Sequence, residues 1–375
     1  MDKHLHIVTL DVPYPADYGG AIEQFYKIKW LHKLGAKIHL HCFTKKRPEA
    51  EELNKYCASV IYYPRITGLK GFSFFNPYIV FSRSSPALLA NLQKDNYPIL
   101  FEGIHTTFLL QTNLLKGRKI FVRLHNCEFR YYAQLAKHEK KFFNRLYYKY
   151  ESFLLKKYER RIAKRCSLLA ISESDKETFI TELKAKDIQF IPAFAGWEQV
   201  TSQEGKGCYC LYQGNLSINE NEQAATWLIK NVFNHSKIPL LIAGKSPSAA
   251  LEKLVHSNEH TCIVANPGEQ EMQDMIAKAQ VNILPSFNNT GIKLKLLNAL
   301  YTGRHCIVNK EAVDGSGLEQ LCTIAAGKND FKKQVEELYS KPFCEEEIQK
   351  RKALLAGLNN NELNAKKIMR LYWDE

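Results

Sequence analysis

Short apolar runs alternate with amphipathic stretches of helical period along most of this chain. In the first half the apolar runs are 4–10, 37–43, 60–63, 99–101, 120–124 and 168–171. In the second half they are 208–212, 239–243, 262–265, 281–284 and 306–308. Strands that alternate with helices in this way form parallel sheets with helices on both faces. The pattern therefore predicts an α/β protein with two such sheets.

The length of the chain and one glycine-bearing segment predict two domains. A chain of 375 residues is too long for one ordinary hydrophobic core. The stretch 192–207 separates the two alternating runs and contains three glycines, so we expect the linker there. The predicted domains are 1–195 and 196–359. A helix within 360–375 follows them, with no strand after it.

The segment 281–308 contains the most informative pattern for chemistry. A short strand runs into a polar loop, a predicted helix opens at Gly291 and stops at Gly303, and another strand follows. A helix N-terminus behind a polar loop binds anions through its free N–H groups and its dipole. A helical wheel that starts at Gly291 places Lys295 and Asn298 on the same face. On that face Gly291 and Lys295 are suited to bind a diphosphate, and Asn298 is suited to hydrogen-bond a pair of hydroxyl groups. The alternative is that Lys295 only belongs to a solvent-exposed face of the helix.

A glycine pair follows the first predicted strand. The sequence 17–20 reads Asp-Tyr-Gly-Gly and precedes an amphipathic helix. Ligands in open α/β sheets bind at the carboxyl ends of strands. Gly19 and Gly20 allow a phosphate or a sugar to approach the backbone closely, although such pairs are also common in ordinary turns. We expect them to contact the ligand.

Two polar clusters follow neighbouring predicted strands. Glu102 and His105 come after the strand 99–101, and His125, Asn126 and Glu128 come after the strand 120–124. A neutral imidazole can hydrogen-bond a hydroxyl or a phosphate, and a protonated one can stabilise a leaving diphosphate. A carboxylate such as Glu102 can orient a substrate or assist proton transfer. The alternatives are a buried structural role for His125 and helix capping by Asn126 and Glu128.

The second half has its own glycines at predicted strand ends. Gly214 and Asn215 follow the strand 208–212, and Lys245 comes just after the strand 239–243. Lys245 and Lys295 are then the cations available for a diphosphate. The chain has no Asp-x-Asp pair, and its histidines lack zinc spacing, so the sequence predicts neither a metal site nor a cofactor.

The net charge of +13 is concentrated in one segment. Ten lysines and arginines lie within 140–165, interleaved with seven aromatic residues, and no Gly or Pro interrupts 137–165. The pattern predicts one or two long helices. A basic helix rich in aromatic side chains can lie on an anionic membrane face. It can also contact nucleic acid or form a solvated helix with an aromatic core face. No nucleic-acid-binding motif is present, so nucleic acid is not an expected partner.

Composition narrows the class of protein and the compartment. No apolar run is long enough to span a bilayer, and the N-terminus lacks a signal-peptide pattern. The ten cysteines include no CxxC pair, and Cys42, Cys166, Cys262 and Cys306 lie in apolar strands. We therefore expect reduced, buried thiols and a cytoplasmic protein, with peripheral association to the inner membrane face through 137–165.

The segment 283–303 resembles the donor-binding motif of retaining family-4 glycosyltransferases of the GT-B type. The motif of that family reads roughly Glu-Gly-Phe-Gly-Leu-Pro-x-x-Glu-Ala. Gly291 and Ala299 match it directly, whereas Thr290 and Asn298 stand where the family has its two glutamates. The resemblance implies the GT-B fold, in which two Rossmann-like domains face a central cleft and the last helix crosses back onto the first domain.

The resemblance also implies residue roles. Asn298 would hold the ribose of the donor, and Thr290 would lie near the donor sugar. The glycine-rich loop at Gly19 would lie against the donor diphosphate. A histidine at the position of His125 would face the donor sugar and the acceptor, with His105 and Asn126 on the acceptor side. The family usually has an Arg and a Lys where this chain has Gly214–Asn219.

The expected function is sugar transfer from a nucleotide diphosphate sugar to a glycan or lipid-linked acceptor. Retention of configuration and independence from metal follow from the resemblance. His125 and Glu102 are the expected catalytic residues. Two alternatives belong to other classes. One is a non-catalytic relative that binds a nucleotide or glycan, and the other is a nucleotide-sugar epimerase of the same architecture.

Overall fold

A computed structural model describes residues 2–139, 141–288, 290–358 and 360–373. The contacts between Cα atoms divide the chain into two units. Unit 1 consists of Met1–Gly196 with Asn359–Glu375, and unit 2 is Trp197–Leu358. Each unit is built on one parallel sheet with helices packed on it, which confirms the predicted fold class.

The sheet of unit 1 has seven parallel strands in the order β3-β2-β1-β4-β5-β6-β7. In chain order the strands are β1 (Lys3–Thr9), β2 (Ala36–Thr44), β3 (Ser59–Pro64), β4 (Ile99–Glu102), β5 (Ile120–Leu124), β6 (Ser167–Ala170) and β7 (Ile188–Phe190). The first six match predicted strands within about one residue. The sequence pattern missed β7 because this edge strand has only three residues and remains partly exposed.

Helices cover both faces of this sheet. The helices of unit 1 are α1 (Gly19–Lys33), α2 (Tyr78–Phe81), α3 (Pro86–Leu92), α4 (Glu128–His138), α5 (Phe142–Ala163), α6 (Glu173–Thr181) and α14 (Asn361–Trp373). Short 3₁₀ helices occur at Glu51–Lys55, Gly68–Gly71 and Ile104–Gln111. One apolar core joins α1 and α14 to the sheet, and the other joins the opposite face to helices that include α5 and α6.

Helix α14 completes the core of unit 1 although it follows unit 2 in the sequence. Its buried residues Ala365, Ile368, Met369 and Tyr372 belong to the same core as α1. The Tyr372 hydroxyl donates to the Ile99 carbonyl at 3.1 Å. At the other end of the helix, the Asn361 side chain hydrogen-bonds both backbone groups of Ala195.

Histidines on one face of the sheet link β1 to β2. The ring nitrogens of His6 and His41 are 2.9 Å apart, and a similar contact of 3.0 Å joins His4 to His39. His6 also contacts the Asp95 carboxylate at 2.9 Å. Burial, and next the neighbouring His6 and His39, lower the pKa of His41 to about 3. Burial thus favours the neutral rings of His6, His39 and His41.

The basic segment contains residues of two helices, α4 and α5. This is one of the two arrangements that the sequence predicts. A carboxylate from α5 caps the start of α4, because the N–H groups of Glu128 and Phe129 donate to Glu159 at 2.8 and 3.0 Å. Burial, and next the Glu128 carboxyl, raise the pKa of Glu159 well above its usual range. Lys140 of the basic segment lies outside the described residues.

The sheet of unit 2 has six parallel strands in the order β10-β9-β8-β11-β12-β13. They are β8 (Cys210–Asn215), β9 (Leu240–Lys245), β10 (Thr261–Ala265), β11 (Val281–Ile283), β12 (His305–Val308) and β13 (Thr323–Ile324). Five match predicted strands, and the two-residue β13 was not predicted. Cys262 is exposed on the edge strand β10, so its predicted burial was wrong.

The helices of unit 2 are α7 (Asn219–Asn231), α8 (Ala249–His256), α9 (Glu269–Lys278), α10 (Leu294–Thr302), α11 (Lys310–Val313), α12 (Gly327–Ser340) and α13 (Glu345–Leu358). At the carboxyl edge of the sheet, β8 and β9 approach so closely that a Cβ atom at Gly244 would lie 1.8 Å from the Gly214 carbonyl oxygen. Only glycine fits at that position.

Candidate functional site

Buried charges lie behind the carboxyl edge of the unit 1 sheet. The Lys27 ammonium lies 2.8 Å from Glu23 and 2.7 Å from Glu102. Arg123 donates to Glu23 at 3.0 Å and to the carbonyl oxygens of Ile191 and Pro192. Burial alone would raise the pKa of Glu23, but the Lys27 and Arg123 cations outweigh it and lower the pKa. The network therefore pairs two carboxylates with the two cations Lys27 and Arg123.

His125 connects this network to the surface. Its Nε2 lies 2.9 Å from a Glu102 carboxylate oxygen, and His125 is 9% exposed whereas Glu102 is fully buried. An ionised carboxylate only accepts hydrogen bonds, so the ring donates this hydrogen bond from Nε2. Glu102 therefore orients His125 from behind. The position of Glu102 fits that role better than the expected direct contact with an acceptor.

The other polar residues of these strand ends lie in different environments. His105 is partly buried, and burial, followed by the nearby Arg83 and His125, lowers its pKa well below the usual range. Asn126 donates to the Glu128 carboxylate at 3.3 Å. Burial raises the pKa of Glu128 to about 7. Neither Asn126 nor Glu128 caps α4, because Glu159 does so.

The glycine pair opens α1 as its first two residues. The cap residue Tyr18 is extended and offers no side-chain cap to the helix. A Cβ atom at Gly20 would lie 3.0 Å from the ring of Tyr18. Arg47 pairs with Asp17 at 2.7 Å and lies over the Tyr18 ring. The turn before Gly19 and Gly20 is thus fixed by side-chain contacts.

Three potential metal ligands meet in this network. The ligand atoms of Glu23, Glu102 and His125 lie within 4.8 Å of one another. However, both carboxylates already bind the Lys27 ammonium, and Glu23 also binds Arg123. A divalent ion here would lie beside two cations, so the donor set suits charge pairing better than metal binding.

Lys295 lies at the carboxyl edge of the unit 2 sheet. Its ammonium contacts the Asn221 amide oxygen at 3.0 Å and the Tyr212 hydroxyl at 3.3 Å, and lies over the Tyr212 ring. Burial lowers the pKa of Lys295 to about 8, with Glu220 opposing the shift and Lys293 adding to it. A poorly solvated cation held in place in this way suits an anionic ligand.

The predicted start of the helix after β11 was wrong. Helix α10 begins at Leu294, and Gly291 precedes it in the left-handed region with φ of 64°. Asn288 accepts from both the N–H and the hydroxyl of Thr290, which builds a turn ahead of the helix. Gly291 therefore does not share a helical face with Lys295 and Asn298. The predicted end at Gly303 is confirmed.

The strand ends bring several predicted residues of unit 2 together. Asn221 holds Lys295, donates to the Asn215 carbonyl at 2.9 Å and lies against Gly214. Lys245 is the register partner of Asn215 on the adjacent strand. Asn298 lies deeper, 7% exposed in α10, and accepts from the Thr302 hydroxyl. Thr290 is buried in the turn, and Asn289 of this loop lies outside the described residues.

Sequence reasoning missed the residues that support these groups. In unit 1 they are Glu23, Lys27 and Arg123, and in unit 2 Tyr212 and Asn221. Arg123 within the apolar run 120–124 was a usable signal, because a charge in a buried strand needs a partner. The i,i+4 pair Glu23 and Lys27 fitted an exposed helix face equally well. Nothing in the sequence pairs Asn221 with Lys295.

Comparison with known proteins gives a family for the second unit. Residues 207–341 match the family model described as Glycosyl transferases group 1. Over 333 residues the chain is 26% identical to a Klebsiella pneumoniae protein described as an uncharacterized 44.6 kDa protein in cps region. That match covers 83% of this chain and 84% of the relative.

Solved structures resemble the whole chain in fold. Sucrose-phosphate synthase from Thermosynechococcus elongatus has a TM-score of 0.74 at 14% identity, with 99% of this chain and 98% of that chain covered. The catalytic domain of starch synthase IV from Arabidopsis thaliana, bound to ADP and acarbose, has a TM-score of 0.63 at 12% identity, with the same coverage. Within the described residues, no helix is long and apolar enough to cross a membrane. The chain is a glycosyltransferase with the GT-B fold, and its group 1 domain spans residues 207–341.

Proposed function

We propose that this glycosyltransferase moves a sugar from a nucleoside diphosphate sugar to a glycan or lipid-linked acceptor, without a metal ion and with retention of configuration. The observation that supports it most is the position of Lys295. Its ammonium lies at the strand ends of the group 1 domain, held by Tyr212 and Asn221. A fixed ammonium can balance the charge of a diphosphate that a metal balances in other transferases.

The surrounding backbone suits the same ligand. Helix α10 starts immediately before Lys295, and no side chain caps its first turn. The dipole of a nine-residue helix and its first N–H groups favour an anion there. Gly214, Asn215 and Lys245 occupy the ends of the adjacent strands. The ADP named for the starch synthase structure is a ligand of the same chemical class.

His125 is the proposed catalytic residue of unit 1. Glu102 fixes its proton on Nε2, so a second proton on Nδ1 would make the ring a cation that can hydrogen-bond the departing phosphate. Such an interaction strengthens as charge develops on the leaving group and therefore raises the rate more than the affinity. Gly19 and Gly20 are proposed to lie against the donor, and His105 and Asn126 on the acceptor side.

The acceptor class follows from one relative and from the charge of the chain. The Klebsiella pneumoniae relative is described as belonging to a cps region, which supports a role in polysaccharide synthesis. Acceptors in such synthesis are glycans, free or carried on lipid. The basic segment 137–165 supports the lipid-linked class, with the protein working in the cytoplasm at the inner membrane face.

A screen of nucleotide sugars tests the proposal. Purified full-length protein is incubated with each donor, and melting temperature, nucleoside diphosphate release and the recovered sugar are measured. A ligand selective for the folded state raises the melting temperature. Transfer or slow hydrolysis supports the proposal, an epimerised sugar supports the epimerase alternative, and binding without turnover supports a non-catalytic relative.

One substitution links the result to the site. Lys295→Ala is expected to weaken nucleoside diphosphate binding by about 1.5–3 kcal/mol, the cost of a lost charge-assisted contact. Nucleoside binding should change much less. Lys278→Ala removes an exposed lysine of unit 2 and is the matched control. Equal weakening of both ligands by Lys295→Ala in calorimetry would remove Lys295 from the phosphate site.

A further inference from the structure

Exposed large apolar side chains concentrate in one region of unit 1. Of the thirteen such side chains in the described residues, eight belong to the turn 68–77 or to helix α5. Leu69, Phe74 and Phe75 belong to the turn, and Leu69 is 92% exposed. The five on α5 are Phe142, Phe143, Leu146, Tyr150 and Phe153. We call these eight residues the aromatic face.

Hydrogen bonds join the turn to the helix, so the aromatic face is one surface. The Tyr150 hydroxyl donates to the Phe74 carbonyl at 2.7 Å. The Tyr78 N–H, just after the turn, donates to the Glu151 carboxylate at 3.0 Å. Within the turn, the Ser73 hydroxyl accepts from the N–H groups of Phe75 and Asn76. The exposed rings thus project from an ordered backbone.

Helix α5 has two apolar stripes, one that faces the core and one that is exposed as part of the aromatic face. Phe143, Leu146, Tyr150 and Phe153 recur at helical spacing on the exposed side, whereas a separate set that includes Leu155 faces the core. A helix of a globular protein usually needs only the stripe that faces its core. Exposed apolar patches of this kind mark interaction sites. The exposed stripe therefore calls for a partner outside the unit.

The exposed charges of helix α5 itself are all positive. Arg145, Lys149 and Lys157 of α5 are exposed, as is Lys141 at its N-cap. The Lys157 ammonium lies over the Phe153 ring at 4.2 Å. The two acidic residues of the helix, Glu151 and Glu159, are both fully buried on the core side. The solvent side of α5 therefore carries only cations among its charged residues.

We propose that the aromatic face docks unit 1 on an anionic lipid bilayer. Apolar rings and leucines gain free energy by entering the boundary between headgroups and acyl chains, while flanking lysines and arginines contact lipid phosphates. A nucleic acid could contact the cations and stack its bases on the aromatic rings. It would gain nothing from the exposed leucines Leu69 and Leu146, however. The sequence pattern had indicated 137–165 only, and the structure adds the turn 68–77.

The proposal deepens the proposed function, because it selects the lipid-linked acceptor over the free glycan. Only this choice of the lipid-linked acceptor rests on the proposed function. Binding to lipid does not require turnover. Failure to bind vesicles leaves nucleotide binding and transfer to be measured separately, and failure to bind nucleotide leaves the vesicle result unchanged.

Vesicle sedimentation with the full-length protein tests the docking. Vesicles of phosphatidylcholine alone are compared with vesicles containing about a third phosphatidylglycerol, at low and high salt. We expect at least tenfold stronger binding to the anionic vesicles at low salt, and weaker binding as salt screens the cations. Equal binding to both vesicles, or none, would overturn the proposal.

Two pairs of variants separate insertion from charge. Phe74→Ser with Phe75→Ser removes exposed rings and should lower vesicle binding at least tenfold, whereas Leu114→Ser removes an exposed apolar residue elsewhere in unit 1 and should not. The double variant Lys149→Glu with Lys157→Glu should also abolish vesicle binding. Its control is the double variant Lys94→Glu with Lys186→Glu, which makes the same change in net charge. Unchanged melting temperatures exclude misfolding as the cause.

Other occupants of the aromatic face give distinct results. Loss of binding in the charge variant but not in the ring variant would mean adsorption by charge alone and would overturn insertion. Tighter binding of a single-stranded oligonucleotide, with vesicle competition, would reassign the surface to nucleic acid. A concentration-dependent dimer in sedimentation velocity that dissociates in the ring variant would reassign it to a second copy of this chain.

Discussion

At the scale of single residues, the pair His125 and Glu102 decides how unit 1 can take part in chemistry. The two contact at 2.9 Å, and only His125 reaches the surface. The sequence placed both at strand ends and predicted two separate roles. It could not show that one carboxylate lies behind the ring, since that depends on side-chain direction and on the partners Lys27 and Glu23.

Removal of the imidazole should affect turnover more than affinity. We expect His125→Ala to lower turnover about 10²-fold or more, comparable to the loss of one electrostatic stabiliser, with nucleotide affinity within a few-fold. Steady-state kinetics with the donor identified by the screen measures this. His256→Ala, on the exposed side of α8, is the control. Near-normal turnover at an unchanged melting temperature would defeat the assignment, and a large drop in melting temperature would favour a structural role.

The Glu102 carboxylate should act through His125. Glu102→Gln keeps the shape but removes the charge that fixes the ring proton, so both turnover and the pH dependence of turnover should change. A purely structural role would lower the melting temperature without moving the pH profile. The variant also leaves Lys27 with only one carboxylate, and a broken buried ion pair is expected to destabilise the protein by a few kcal/mol.

Lys295 should take up a proton when a diphosphate binds at alkaline pH. Burial holds its pKa at about 8 in the free protein, and a bound anion would raise that pKa. With a nucleotide diphosphate sugar as ligand, whose phosphates do not titrate near neutral pH, the binding enthalpy at pH 8.5 should therefore vary with the ionisation enthalpy of the buffer, and at pH 6.5 this dependence should vanish. Lys295→Met should lose the effect and Lys278→Ala keep it. Identical enthalpies in all buffers at pH 8.5 would contradict the proposal.

At the scale of elements, sequence patterns located strands well because apolar runs in parallel sheets are short and bounded. They failed where a special backbone conformation intervenes. Gly291 has positive φ, and the Asn288–Thr290 turn delays α10 to Leu294. The helix period in the sequence extends back through this turn, so the pattern alone could not separate turn from helix.

The histidine pairs between β1 and β2 should make unit 1 sensitive to acid. Burial depresses the pKa of His41 to about 3 in the folded state, below its unfolded value of about 6.5. Folding therefore disfavours the protonated ring, and stability falls as pH drops below about 6.5. From pH 6.5 to pH 5 the loss from His41 should be about 2 kcal/mol.

Replacement of His41 by a neutral side chain isolates the contribution of this residue to acid sensitivity. His41→Gln can still hydrogen-bond the Tyr63 hydroxyl but cannot be protonated, so its free energy of unfolding should fall less between pH 6.5 and 5 in urea titrations. His235→Gln, which is exposed, should behave like the wild type. Buried carboxyls such as Glu128 and Glu151 act in the opposite sense but are present in every variant. Parallel pH curves for wild type and His41→Gln would show that the pair does not control acid stability.

At the scale of the whole molecule, unit 1 is assembled from two distant parts of the chain. A chain ending at residue 358 lacks α14 and exposes the core side of α1. We expect rapid hydrogen exchange in β1 and α1, with α7 and β8 of unit 2 unchanged. Met369→Ala should be a milder version and destabilise unit 1 by about 2–5 kcal/mol. Unchanged exchange of β1 and α1 in the shortened chain would show that α14 is dispensable.

The discontinuity of unit 1 has a consequence for synthesis. A ribosome makes the chain from its N-terminus, so residues 1–196 emerge long before the helix that completes their core. Unit 2, which is continuous, can close first. Until α14 is translated, the uncovered side of α1 is open to chaperones and to proteases. A prematurely terminated chain would keep that side uncovered, so degradation could remove incomplete copies that still contain the whole group 1 domain.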